Sequence, residues 1–241
     1  MAQNQAREIT ATPFLLISLS GLCVLVLIAL YPPKVIDNFT MRKPLIGSIL
    51  GLECLLGILA VFYPKRCSRV LDANTENRLT FNQNSRLRIQ GHHPDCKKYS
   101  THIFKVGDRY FCAGCAGLFS GALATLAGTI LYFFGNLPLA SSLPIFLLGC
   151  AGVALGLLQF HILDLKTSSM RLLLNASFVL GMFLALIGLD AIAQNIFADL
   201  FLISLSFFWL YTRISLSRQD HRNICRSCDA DLCEYDPQNT K

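Results

Sequence analysis

Five potential metal ligands, His92, His93, Cys96, Cys112 and Cys115, stand between Gly91 and Gly117. Written as His93-x2-Cys96-x15-Cys112-x2-Cys115, they form two short ligand pairs at the spacing of a structural zinc site. Zinc takes four soft or borderline ligands in a tetrahedron, and two tight turns deliver them with few ordered residues. His93-Pro94-Asp95-Cys96 carries Pro and Asp as turn formers. Cys112-Ala113-Gly114-Cys115 carries a glycine that permits the backbone to reverse. Between the two turns, 100–106 and 109–112 flank Gly107-Asp108, the pattern of a β-hairpin. A hairpin with two such turns is zinc-ribbon-like. His92 or His93 serves as the fourth ligand, with the other free to orient it; His102 reads as a strand residue.

The same cysteines admit other chemistry. Cys112 and Cys115 open an apolar run, and a helix N-terminus favours a thiolate, so thiol–disulfide exchange is an alternative. A catalytic zinc needs an open coordination position and a base, for which only Asp95 is near in the chain. A second constellation, His221-x3-Cys225-x2-Cys228-x4-Cys233, holds enough ligands for one zinc ion alone. Cys225 and Cys228 are also placed to complete a site shared with the long loop. The acidic Asp229, Asp231, Glu234 and Asp236 read as solvating groups of the tail.

These residues must be carried by membrane helices. The chain has 241 residues, 53% of them hydrophobic and 15% charged, against about 25% charged in a soluble domain. Six segments, 13–31, 44–63, 112–134, 143–163, 172–192 and 196–214, approach the length of about 20 residues that crosses a bilayer. Proline punctuates them: Pro32-Pro33 and Pro64 follow helices, while Pro44 and Pro144 fall in first turns. The first segment reads as a retained helix, because its leader is barely basic and no A-x-A site follows. Cys23, Cys54 and Cys150 lie in apolar runs and read as small hydrophobes.

A net charge of +6 suggests nucleic acid in a soluble protein. Here the basic residues gather in 64–111 and in the tail, at Arg213, Arg218, Arg222 and Arg226, which is the pattern of cytoplasmic loops. No nucleic-acid partner is expected. Both termini and the long loop are placed in the cytoplasm, where thiols stay reduced and metal is favoured over disulfide. Only Lys34, Arg42 and Lys43 break the charge pattern.

The expected fold is an all-α integral membrane protein, a six-helix transmembrane bundle with a small cytosolic zinc-ribbon-like hairpin. Its parts are a cytosolic tail (1–12), a first helix pair (13–63), a cytosolic loop with the hairpin (64–117), a four-helix region (118–214) and a Cys-rich tail (215–241). Glycine pairs at spacing four, Gly47/Gly51, Gly117/Gly121 and Gly152/Gly156, predict close helix packing within the bundle. Glu53 falls mid-helix, where a carboxylate is costly and suggests a functional site. Gln159, His161 and Asp164 are expected at the cytoplasmic interface, and Asp190 and Asp199 at the outer one. Trp209, with Phe207, Phe208 and Tyr211, reads as an aromatic belt.

The run Gly91-His92-His93-Pro94-Asp95-Cys96, followed by Cys112-Ala113-Gly114-Cys115 and Gly117, resembles a family of uncharacterised multi-pass membrane proteins of prokaryotes, largely archaeal. In that family a His/Cys-rich segment precedes a C-A-x-C-x-G motif that opens a transmembrane helix. The resemblance covers 91–127 and implies a membrane location and metal binding, without an activity. This chain has Gly114 and Ala116 where the commoner C-A-R-C-T-G form has arginine and threonine.

Together these features predict a non-enzymatic component of the cell membrane. One or two structural zinc sites would organise its cytosolic face for a protein partner. The alternatives are a thiol oxidoreductase using Cys112 and Cys115, and a small ion or solute transporter using Glu53.

Overall fold

Long apolar runs with proline confined to their first turns fold as six helices in the computed structural model, which describes residues 11–33, 41–62, 102–106, 109–135, 137–139, 141–160 and 167–226. They are α1 (Ala11–Leu30), α2 (Arg42–Phe62), α3 (Ala113–Thr129), α4 (Ser142–Leu158), α5 (Ser168–Ala193) and α6 (Ile196–Arg226). A proline in a first turn removes an N–H that has no partner inside the helix. Immediately before α3, β1 (Ile103–Val106) and β2 (Arg109–Cys112) pair antiparallel, with Ile103 opposite Cys112. The two expected strands are therefore paired, and residues 107 and 108 between them lie outside the described residues. The pair's zinc-ribbon character is not shown, because His92, His93 and Cys96 lie outside the described residues.

Five of the helices are long and apolar enough to cross a membrane; the sixth, α4, has 17 residues. At 1.5 Å per residue α4 is about 25 Å long, short of a hydrocarbon core of about 30 Å. The helix expected over 143–163 is described as helical as far as Leu158, with Gln159 as its C-cap. Gln159 folds back so that its Nε2 donates to the Gly156 carbonyl at 2.6 Å. His161 and Asp164 lie outside the described residues. The last helix departs in the other direction: instead of ending at 214 it continues to Arg226, so the backbone of His221 and Cys225 is helical.

α5 is the central helix, packed against α1, α3, α4 and α6. Glycines set its distance from two of them. A Cβ on Gly181 would lie 2.8 Å from the Gly149 carbonyl of α4, and one on Gly121 of α3 would lie 2.9 Å from the Ala176 carbonyl. The glycine pairs thus serve contacts within the chain. Leu16, Ile17, Leu52, Leu148 and Leu173 cover the exterior, while Ser18, Glu53, Asp190, Asp199 and Arg213 are buried. An apolar outside around a mostly apolar core that encloses a few polar groups fits a bilayer as the solvent, and the architecture is that of a multi-pass membrane protein.

Asp190 and Asp199, at the facing ends of α5 and α6, are buried and clamp Arg42. Arg42 Nη2 lies 3.1 Å from Asp190 Oδ1 and Nη1 lies 3.2 Å from Asp199 Oδ2. Tyr132 donates its hydroxyl to Asp190 Oδ2 at 2.7 Å, and Lys43 Nζ lies 4.8 Å from the Tyr132 ring centroid. A π-helical turn, Ile130–Phe134, brings Tyr132 and Phe133 into this cluster. Trp209 is fully buried rather than part of a belt. α1 runs antiparallel to α6 there, and the indole Nε1 donates to the Ser18 carbonyl at 3.2 Å.

Replacing one partner of a buried ion pair strands the others, at a cost of about 3–5 kcal/mol. Arg42→Ala should therefore lose roughly that much stability in detergent unfolding. Arg42→Met combined with Asp190→Asn and Asp199→Asn should regain most of the loss. Equal stability of Arg42→Ala and the native protein would show that the clamp holds nothing.

Candidate functional site

Cys112 is at once the last residue of β2 and the N-cap of α3, with φ −74 and ψ 121. The Ala113 N–H bonds back to the His102 carbonyl at 2.8 Å, so the hairpin hands directly into the helix. Cys115 follows in the first turn. Both thiols are half-buried and lie within hydrogen-bonding reach of each other. The helix end directs its unpaired N–H groups at this point, which favours negative charge.

The charge that faces these thiols is a guanidinium. Arg213, 6% exposed, reaches from α6 and donates Nε to Asn175 Oδ1 at 2.9 Å, with Nη2 on the same oxygen. Asn175 is held in turn, its Nδ2 donating to the Arg171 carbonyl at 2.6 Å, and Gln159 Nε2 stands 3.4 Å from Asn175 Oδ1. Gly114 marks where the groups converge: a Cβ there would lie 3.7 Å from Asn175 Nδ2, 3.8 Å from Arg213 Nη2 and 3.9 Å from Cys112 Sγ. Arg213 is close enough to interact electrostatically with both cysteines. Among the described residues the ion pairs are those of Arg42 and those of Asp220, and Arg213 belongs to none. Its charge therefore faces an amide and two thiols.

Asp220, two helical turns further along α6, secures the rim. Its Oδ2 lies 3.6 Å from Arg171 Nη1 and 4.0 Å from His102 Nε2. The hairpin, the start of α5 and α6 are thereby tied at one point. His102, read as a strand residue, stands just ahead of β1 and faces Asp220.

Of the residues expected to hold metal, the structure brings Cys112 and Cys115 together. His92, His93, Cys96, Cys228 and Cys233 lie outside the described residues, and nothing is described of the His221 and Cys225 side chains. Among the described residues no three His, Cys, Asp or Glu groups converge as a metal site. Two thiols fit half of a zinc tetrahedron, so the remaining ligands have to come from beyond them. Arg213, read as a tail charge, is instead buried in the bundle. Asn175 was not singled out. The signal for Arg213 was a polar series at seven-residue spacing on the last helix, Asp199, Ser206, Arg213 and Asp220.

No family model matches the chain, and neither does any curated protein or solved structure.

Asn175→Leu should leave two guanidinium donors without an acceptor and cost about 2–3 kcal/mol in detergent unfolding. Ser177→Leu, at an exposed position of the same helix, should be nearly neutral by comparison. Equal effects would remove Asn175 from the support of this site.

Proposed function

We propose that this chain is a multi-pass membrane component whose cytosolic end is organised by structural zinc as a docking surface for a protein partner. Cys112 and Cys115 supply two ligands; Cys96, with His92 or His93, supplies the others. The observation that carries this reading is the buried Arg213 beside two thiols with no carboxylate of its own. Zinc bound by three thiolates and one neutral imidazole carries one net negative charge, which one guanidinium balances. Bound zinc would cross-link the loop to the start of α3, and so to the bundle.

The resemblance to the archaeal membrane family agrees with this. Its commoner motif puts an arginine at the position of Gly114, and Arg213 reaches that same space from α6. A positive charge beside the two cysteines is thus kept by a different route. The orientation with both termini in the cytoplasm also gains support, because Arg42, one of the three exceptions to the charge pattern, is balanced internally by Asp190 and Asp199. His221, Cys225, Cys228 and Cys233 would form a second zinc site beyond the end of the bundle.

A second reading rests on the mutual reach of the two thiols. In thiol–disulfide exchange, Cys112 and Cys115 would form their own S–S bond while a partner disulfide takes their two electrons and two protons as thiols.

Metal analysis of the protein purified in detergent separates the two. The zinc reading expects one or two zinc ions per chain, with Cys112→Ser losing one and becoming less stable. Metal-free protein with a readily reduced Cys112–Cys115 disulfide would favour exchange. A finer test is Asn175→Asp, which gives Arg213 a carboxylate of its own. It should preserve the fold yet weaken zinc binding by roughly tenfold or more, as expected when an opposing charge is cancelled. Unchanged affinity would separate Arg213 from the metal.

A further inference from the structure

A carboxyl group sits at mid-depth in the bundle without a cation. Glu53 lies about 16 Å along α2 from Arg42 and about 14 Å from Phe62. It is 7% exposed, and its partner on α6, Ser206, is 1% exposed. Ser206 Oγ stands 2.9 Å from Glu53 Oε1, 2.8 Å from Oε2 and 2.7 Å from the Ile203 carbonyl. A serine hydroxyl has one hydrogen to give. With an ionised carboxylate, that one hydrogen leaves two of the three close contacts between acceptors. With a carboxylic acid only one is left so: Glu53 donates to Ser206 from one oxygen, and Ser206 donates to Ile203.

Among the described residues no cation pairs with it. From α6 the facing group is Ser206, and α2 itself contributes the adjacent Cys54 thiol. Ser206 is the one group found to act on the carboxyl. The nearest charges along α6 are Asp199 and Arg213, each about 10 Å from Ser206 and engaged by Arg42 and Asn175.

We propose that Glu53 is a proton-binding site at mid-membrane, neutral while α2 rests on Ser206 and released from that contact when it gives up its proton. An ionised Glu53 has to reach water or a cation, because an unpaired carboxylate beside Cys54 and Ser206 is far costlier than the neutral acid. Proton release is therefore linked to movement of α2 away from α6. This gives the protein a proton-driven function independent of the cysteines.

Cys54 is a built-in reporter. The full chain in lipid vesicles is treated with a maleimide across a range of pH, and modification of Cys54 is followed by peptide mass spectrometry. The native protein should show a steeper rise of Cys54 labelling with pH than Glu53→Gln, by at least several-fold at the alkaline end. Glu53→Gln carries the same thiol but no proton to lose, so it subtracts the thiol's own titration. Dicyclohexylcarbodiimide, which adds to protonated carboxyls, should modify Glu53 at low pH and progressively less as pH rises. Identical Cys54 profiles in the two proteins, or a folded protein whose Glu53 resists the carbodiimide at low pH, would overturn the proposal.

Discussion

A charge carried into an apolar bundle has to find its counter-charge among the other helices, because lipid offers neither hydrogen bonds nor solvation. α6 shows how this chain meets that requirement. Asp199, Ser206, Arg213 and Asp220 recur every seven residues, two helical turns apart and so close to one face. Each meets a partner at its own level: Asp199 meets Arg42 at the start of α2, and Ser206 meets Glu53 in its middle. Arg213 meets Asn175 on α5, and Asp220 meets Arg171 and His102. Side chains of neighbouring elements are thereby registered against one helix, and the outside is left apolar.

The four positions differ in how their charge is settled. At one end Arg42 faces two carboxylates and a tyrosine hydroxyl. At mid-depth a carboxyl meets a hydroxyl, with no ion pair among the described residues. At the other end Arg213 has an amide oxygen and two thiols, and only the thiols can become negative. That asymmetry puts the chemistry at the hairpin end. The same cysteines finish a strand, cap a helix and lie beneath a buried guanidinium, so whatever binds them is mechanically part of the bundle.

Much of the architecture was legible in the sequence because apolar length and proline placement are local properties. The strand pair before α3 and the position of Cys112 at a helix start were legible for the same reason. What escaped depended on distant partners. Arg42 looked like a loop charge because its partner Asp199 is 157 positions away. Trp209 looked lipid-facing because hydropathy does not separate burial in lipid from burial against Ser18. Arg213 looked like a tail charge because counting basic residues ignores where a helix ends, and α6 runs to Arg226. The back-folded side chain of Gln159 at the end of α4 is a contact that no periodicity reveals. The seven-residue polar series was visible throughout, but its meaning required knowing what stood opposite each member.

The central claim is that the charge of Arg213 is matched by thiolates on a metal. X-ray absorption at the zinc edge of the purified protein reads that directly, since sulfur and nitrogen ligands differ in distance. The expected spectrum has three sulfurs at about 2.3 Å and one nitrogen at about 2.0 Å, with the sulfur shell diminished in Cys115→Ser. Protein without zinc, or zinc held only by nitrogen and oxygen, would contradict the account.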